Sequence, residues 1–324
     1  MVSTTAPAND QSYLHLLSTI PVQPIFIIGD HRSGTTLTHS ILEQTGAFNV
    51  VRSYHVINYD HVLVNHVQGT TIQAKQQISD RFAAIGLVDR KIDGVKVSPE
   101  LPAEYGFILR NAGYRNRVDD ASQPFFEQLC KKVQYTSEPE RPLLLKNPWD
   151  VLNFMDLKRR FPQARFIVLH RKPINVINSQ LKAIRALYAT RNDYAAVLAH
   201  WYTELFERQH LQRAALQLLF APWHSLGFRI VLRHVQRATN YVTASLPLLA
   251  ANDVMAFRYE DLCHAPRETV LSVLQFLGCE PRQQLDYASL IRERKEPLVP
   301  DVERRRGMVK QQLASYYQQY NYEA

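Results

Sequence analysis

The sequence predicts an α/β protein, a parallel sheet flanked by helices. Three observations carry this. Four short apolar runs, PIFII (24–28), PLLLK (142–146), RFIVLHR (165–171) and VMAFRY (254–259), read as strands, and the first has the length and continuity of a strand buried on both faces. The stretches between them have helical spacing, so strands and helices alternate, as in a parallel sheet with helical crossovers. The first run leads directly into a glycine-spaced loop, GDHRSGTT (29–36), and then a helical pattern.

In chain order, residues 1–12 are polar and are expected to fray. A helix is expected over 35–44, with Gly46 at its C-terminal stop. Residues 50–68 have no clean period and are expected to form a loop or short helix bordering the site. A helix over 70–85 and a strand at VKVS (95–98) follow. After the strand at 142–146, residues 148–160 place Val151, Leu152 and Met155 on one side at helical spacing. Pro173 suits the first position of the helix that continues to about residue 188. One long helix is expected over 192–219 and another over 228–249. The strand 254–259 precedes the helix ETVLSVLQFLG, stopped by Gly278, and the tail from 281 reads as helical and basic. With no linker, residues 13–324 form a single domain. It carries a helical elaboration at about 180–250 and a basic C-terminal segment.

A chain of 324 residues, 46% hydrophobic and 21% charged, is ordinary for a soluble protein. Its net charge of +8 and pI near 9.3 favour an anionic partner. Three cysteines, Cys130, Cys263 and Cys279, form no C-x-x-C pair, which argues against a disulfide framework or a zinc site. The N-terminus lacks the pattern of a secretory signal, and no apolar run reaches membrane-spanning length. A cytoplasmic protein with no membrane span and no metal is the expectation.

The loop GDHRSGTT nearly matches the phosphate-binding pattern G-x-x-x-x-G-K-[ST], with Thr35 where the lysine belongs and Thr36 in the final place. Gly34 permits a tight backbone, and Ser33, Thr35 and Thr36 add hydroxyl donors to the N–H groups of a helix N-terminus. Arg32 brings a cation into the loop. Arg171 falls at the carboxyl end of a predicted strand, where open α/β sheets bind ligands, and Ser179 lies eight residues on. Lys146 ends another strand, which directs its ammonium to the same edge.

Together these segments resemble the sulfotransferase superfamily, which uses 3′-phosphoadenosine 5′-phosphosulfate (PAPS), and most nearly its bacterial branch related to tyrosylprotein sulfotransferases. The carriers are RSGTT (32–36), LLLKNPWDVLNFMDLKRRFPQARF, Arg171 with Ser179, and YEDLCHAPRETVLSVLQFLG (259–278). The resemblance runs in order from about residue 22 to 281. It implies a P-loop-nucleotide-hydrolase-like sulfotransferase fold. It also implies sulfuryl transfer to a hydroxyl or amine of a small-molecule acceptor, a natural product or other metabolite, by in-line transfer with a general base. Arg32, Ser33, Gly34, Thr35 and Thr36 would hold the 5′-phosphosulfate, and Arg171 and Ser179 the 3′-phosphate. Lys146, with Arg32, would serve the reacting centre, and Tyr259 would help bind the nucleotide. Arg305, between Arg304 and Arg306, is the candidate for a basic segment closing over it. The base position matches no glutamate here; His55 is the nearest candidate and His61 the second.

Two other readings are open to the sequence. The apolar strand ending in Glu260 and Asp261 resembles a magnesium-binding strand, as in an atypical P-loop kinase. The absent loop lysine and the Arg171–Ser179 pair argue against it. The basic runs at 158–160 and 303–306 fit a nucleotide- or nucleic-acid-binding protein, but no recognition motif accompanies them. Tyr54, Tyr59, Tyr188, Tyr194, Trp201 and Tyr202 are expected near the acceptor pocket.

Overall fold

In the computed structural model, which describes residues 9–91, 94–291 and 296–322, five parallel strands form one sheet in the order β2-β3-β1-β4-β5. They are β1 (Ile25–Ile28), β2 (Asn49–Val50), β3 (Leu143–Lys146), β4 (Arg165–His170) and β5 (Val254–Arg258). β1 lies at the centre, with Phe26 opposite Leu145 on β3 and Phe166 on β4. Strand side chains alternate between faces, so the apolar runs supply two cores at once. Phe26, Ile28, Leu145, Phe166 and Val168 pack on one face, and Ile25, Ile27, Leu144, Ile167 and Leu169 on the other.

The chain leaves β1 for β2 and β3 on one side, then crosses to β4 and β5 on the other. The crevice therefore opens at the carboxyl ends of β1, β3 and β4, where the strand order reverses. Thr35–Gln44 and Pro173–Ala189 are the helices that follow β1 and β4. A third apolar cluster joins the Pro173–Ala189 helix to Leu226–Ser245 and to the C-terminal helices, through Ile177, Leu181, Phe228, Leu232, Val309 and Tyr316.

Several sequence expectations are corrected. Residues 10–12 are not frayed: they begin a 3-10 helix, Asp10–Leu17. Asp10 is buried, pairs with Lys132 at 2.7 Å, and accepts from Leu63 N–H and Val64 N–H. Residues 1–8 lie outside the described residues. VKVS (95–98) forms no strand, only an isolated bridge between Asp89 and Lys96. The helix expected from 148 begins at Phe154, after a 3-10 turn Pro148–Asp150. The long helix expected over 192–219 is three pieces, Asp193–Leu198, His200–Glu207 and His210–Leu219. At the first break Ala199 is extended, and the Asn111 side chain bonds the Leu198 carbonyl and His200 N–H. That distant partner compensates the lost helical bonds, which periodicity cannot reveal. Among the described residues no helix is long and apolar enough to cross a membrane.

Candidate active site

The loop after β1 turns through two residues in the left-handed region, Arg32 (φ 67°) and Gly34 (φ 102°). At Gly34 a Cβ would lie 2.3 Å from Tyr259 Cδ2, so glycine is required by both backbone and contact. Arg32 has no such freedom, and its neighbours hold it. Its carbonyl accepts from Arg171 Nη1 at 2.7 Å, and its own Nε donates to Ser179 Oγ at 2.9 Å. Ser33 N–H closes the turn onto the Asp30 carbonyl, and Gln180 Nε2 donates to the His31 carbonyl. The loop is thus fastened to the end of β4 and the helix after it.

The helix Thr35–Gln44 has no side-chain cap, leaving its first N–H groups open at the loop. Among the described residues, Ser33 Oγ and Arg171 Nε are buried with no hydrogen-bond partner. Buried unpaired donors are costly, and an anion would satisfy them. The Arg171 guanidinium also sits 4.3 Å from the centre of the Tyr259 ring.

Lys146, at the end of β3, is buried and reaches back into the loop. Its Nζ donates to Thr36 Oγ1 at 2.9 Å and to Glu104 Oε1 at 2.5 Å. Burial alone would raise the pKa of Glu104, but the Lys146 ammonium, with Arg90 beyond it, brings it down to about 2. A lysine of a neighbouring strand thus contacts the loop that has none of its own.

Asp30 Oδ1 accepts from His31 N–H at 2.7 Å and pairs with His234 Nε2 at 3.0 Å. This hydrogen bond raises the pKa of His234, against its burial. A small, half-open cleft lies here, with Asp30, Ser33, Arg171 and Thr239 among its walls.

Arg32, Ser33, Gly34, Thr35, Thr36, Lys146, Arg171, Ser179 and Tyr259 are thus brought to one edge of the sheet. His55 differs. It is buried, and its Nδ1 accepts from Arg52 N–H at 2.9 Å, capping the short helix Ser53–Ile57. Burial, then Arg52 and Lys75, lower its pKa to about 3, so the ring is neutral. With Nδ1 accepting, the proton of neutral His55 rests on Nε2, which then has no lone pair to offer. His61 ends a 3-10 turn, Tyr59–His61.

Arg305 stands in the turn between the short helices Pro300–Glu303 and Arg306–Gln312, its Nη1 donating to the Asp301 carbonyl and its guanidinium 5.3 Å from the centre of the Phe228 ring. The C-terminus meets the sheet edge through tyrosines: Tyr316 OH bonds His170 Nδ1 at 2.8 Å and Tyr320 stacks on the same ring. Asp261 pairs with Arg258, and Glu260 Oε1 accepts from Lys172 N–H. Of the expected pocket aromatics, Tyr54, Tyr194 and Tyr202 are buried and their hydroxyls bonded internally.

Glu104, Asp30 and His234 were not singled out by the sequence. Glu104 stands four residues after Glu100 in a short loop, with no local pattern to mark it. Asp30 stands inside the loop itself, and an acid beside an anion site was a readable signal.

The sequence model described as the sulfotransferase family matches residues 24–223 of this chain, from β1 into the helical elaboration. The chain belongs to the sulfotransferase family. It is 26% identical over 178 residues to the omega-hydroxy-beta-dihydromenaquinone-9 sulfotransferase of Mycobacterium tuberculosis, covering 51% of this chain and 46% of that one. Over 174 residues it is 21% identical to cytosolic sulfotransferase 11 of Arabidopsis thaliana, covering 50% and 49%. The chain spans about half the length of the curated relatives it matches. Its fold is similar to sulfotransferase STF9 of Mycobacterium avium (TM-score 0.64, 15% identity, 96% of this chain and 81% of that). It is similar also to STF1 of M. tuberculosis (TM-score 0.59, 14% identity, 94% and 80%).

Proposed function

We propose that this sulfotransferase-family chain transfers a sulfuryl group from PAPS to a hydroxyl or amine of a small-molecule acceptor. The observation that carries the reading is the convergence of Lys146 from β3 and Arg171 from β4 on the loop after β1. The unpartnered Ser33 Oγ and Arg171 Nε are donors in the right place for an anionic ligand. The loop from Arg32 to Thr36 would hold the 5′-phosphosulfate, Arg171 and Ser179 the 3′-phosphate, and Tyr259 would back the loop. PAPS, when bound, supplies an activated sulfuryl group and a phosphate leaving group.

The chain's own part is electrostatic. Arg32, Lys146 and the open N–H groups stabilise negative charge growing at the loop, in a site held rigid before the reaction. The ammonium of Lys146 can serve Glu104 or a bound anion. Drawn to an anion, it releases Glu104, whose burial then raises its pKa toward a range suited to accepting a proton. Glu104, rather than His55, is therefore proposed as the base for the acceptor. Arg305 supports no role at the nucleotide in this geometry.

Of these acceptors a hydroxylated metabolite is the favoured class. The mycobacterial relative, named for an omega-hydroxylated menaquinone, supports a lipid-like alcohol within that class. Calorimetry tests the donor. The desulfated nucleotide, 3′-phosphoadenosine 5′-phosphate (PAP), should bind in excess chelator. Binding of ATP with magnesium, and none of PAP, would favour the kinase reading instead.

A further inference from the structure

The helical elaboration has a feature that the site does not use. Helix His210–Leu219 turns Leu216 and Leu219 inward against the third apolar cluster. The opposite face, Leu211, Ala214, Ala215 and Leu218, repeats at i, i+3, i+4 and i+7, and all four are exposed. An amphipathic helix ordinarily turns its apolar stripe to the core; this one has a second stripe in water. Leu211 is 89% exposed.

The stripe continues across the turn to the next helix. His224 donates from Nε2 to the Leu218 carbonyl at 2.5 Å and accepts at Nδ1 from Leu226 N–H at 3.3 Å. This fixes the turn carrying Trp223, itself 73% exposed. Gly227 lies so close to Phe220 that a Cβ would sit 2.7 Å from its Cα, which locks the two helices together. Leu226 and Ile230, one turn apart, extend the exposed apolar surface along Leu226–Ser245.

Charge identifies the partner. From residue 208 to 252 the chain contains five arginines and no acid. Arg229, Arg233 and Arg237 are exposed along the same helix, and among the described residues no acid pairs with them. Exposed leucines and a tryptophan bordered by unpaired arginines suit an apolar surface carrying negative headgroups. An acidic protein or nucleic acid would use the arginines but leave Trp223 and the leucines in water.

We propose that the tip formed by Leu211, Leu218, Trp223, Leu226 and Ile230 docks this protein on an anionic lipid surface. The tip inserts its apolar side chains at the headgroup level and its arginines bind lipid phosphates. Docking lies close to the cleft, because His234, one turn beyond Ile230, contacts Asp30 in the loop.

The test is flotation of the full chain with vesicles of phosphatidylcholine alone or mixed with phosphatidylglycerol, at low and high salt. The protein is expected to float with the mixed vesicles, far less with phosphatidylcholine alone, and less as salt rises. Arg229→Gln with Arg233→Gln should weaken binding about 25-fold, roughly fivefold per arginine. Trp223→Ser with Leu226→Ser should weaken it about tenfold or more. Both variants alter exposed side chains, so unfolding curves and PAP binding should match the parent. No flotation, equal flotation with both vesicles, or flotation unaffected by the substitutions would overturn the proposal. So would light scattering that shows a dimer broken by Trp223→Ser and no vesicle binding, since the tip would then be an interface between copies.

Discussion

Replacing Glu104 by glutamine separates the two roles given to its pair with Lys146. The ammonium is buried and has Thr36 Oγ1 and Glu104 Oε1 as partners. Removing one partner of a buried ion pair costs about 3–5 kcal/mol, and the retained glutamine carbonyl keeps the loss near the lower end. The pKa gives a similar figure. A fall from 4.5 to about 2, against burial and through Lys146, corresponds to about 3 kcal/mol. The carboxyl is depressed in the folded state, so its contribution is complete above pH 4.5 and is lost as pH falls through about 2. Urea unfolding of the two proteins should differ by about 3 kcal/mol at neutral pH, a gap that closes over that acid window. Turnover, measured with radiolabelled PAPS and the acceptor a screen returns, should fall about 10²–10⁴-fold. PAP affinity should hold or rise, because Lys146 loses a competing carboxylate. Turnover within about twofold of the parent would refute Glu104 as base, and a stability gap independent of pH would refute the ion pair.

Two further substitutions test the surrounding structure. His55→Ala should lower stability by about 1–3 kcal/mol through the lost cap on Arg52 N–H, while turnover per folded molecule is unchanged; a severe loss of turnover at intact fold would restore His55 as base. Asp10→Ala should cost about 3–5 kcal/mol in urea unfolding, because it strands Lys132 in the interior and uncaps Leu63 and Val64 N–H; a loss below about 1 kcal/mol would contradict a structured N-terminus.

The central strands were legible because burial on both faces leaves a continuous apolar run, as in PIFII and RFIVLH. β2 was not, since Asn49–Val50 is too short to leave a pattern. The loop, Lys146 and Arg171 could be read because each stands at a strand end, where parallel strands deliver side chains to one edge. The partners across the fold could not. Glu104 reaches Lys146 over 42 positions, and Asn111 breaks the helix near 199 from 87 positions away. Residue type and spacing likewise put His55 near the site, but the bond at Nδ1, which decides what its other nitrogen can do, depends on a local turn. The basic tail was visible as charge, whereas its tyrosines, which make the contact with His170, were not singled out.

The most direct test of the donor site compares two nucleotides on one variant. Arg171 holds the Arg32 carbonyl with one nitrogen and keeps Nε unpaired beside Tyr259. By calorimetry, Arg171→Ala should weaken PAP binding about tenfold or more beyond its effect on adenosine 5′-phosphate, the worth of one charge-assisted phosphate contact added to any slackening of the loop. Equal weakening of both nucleotides would contradict a 3′-phosphate site at Arg171, and with it the assignment of PAPS as the donor.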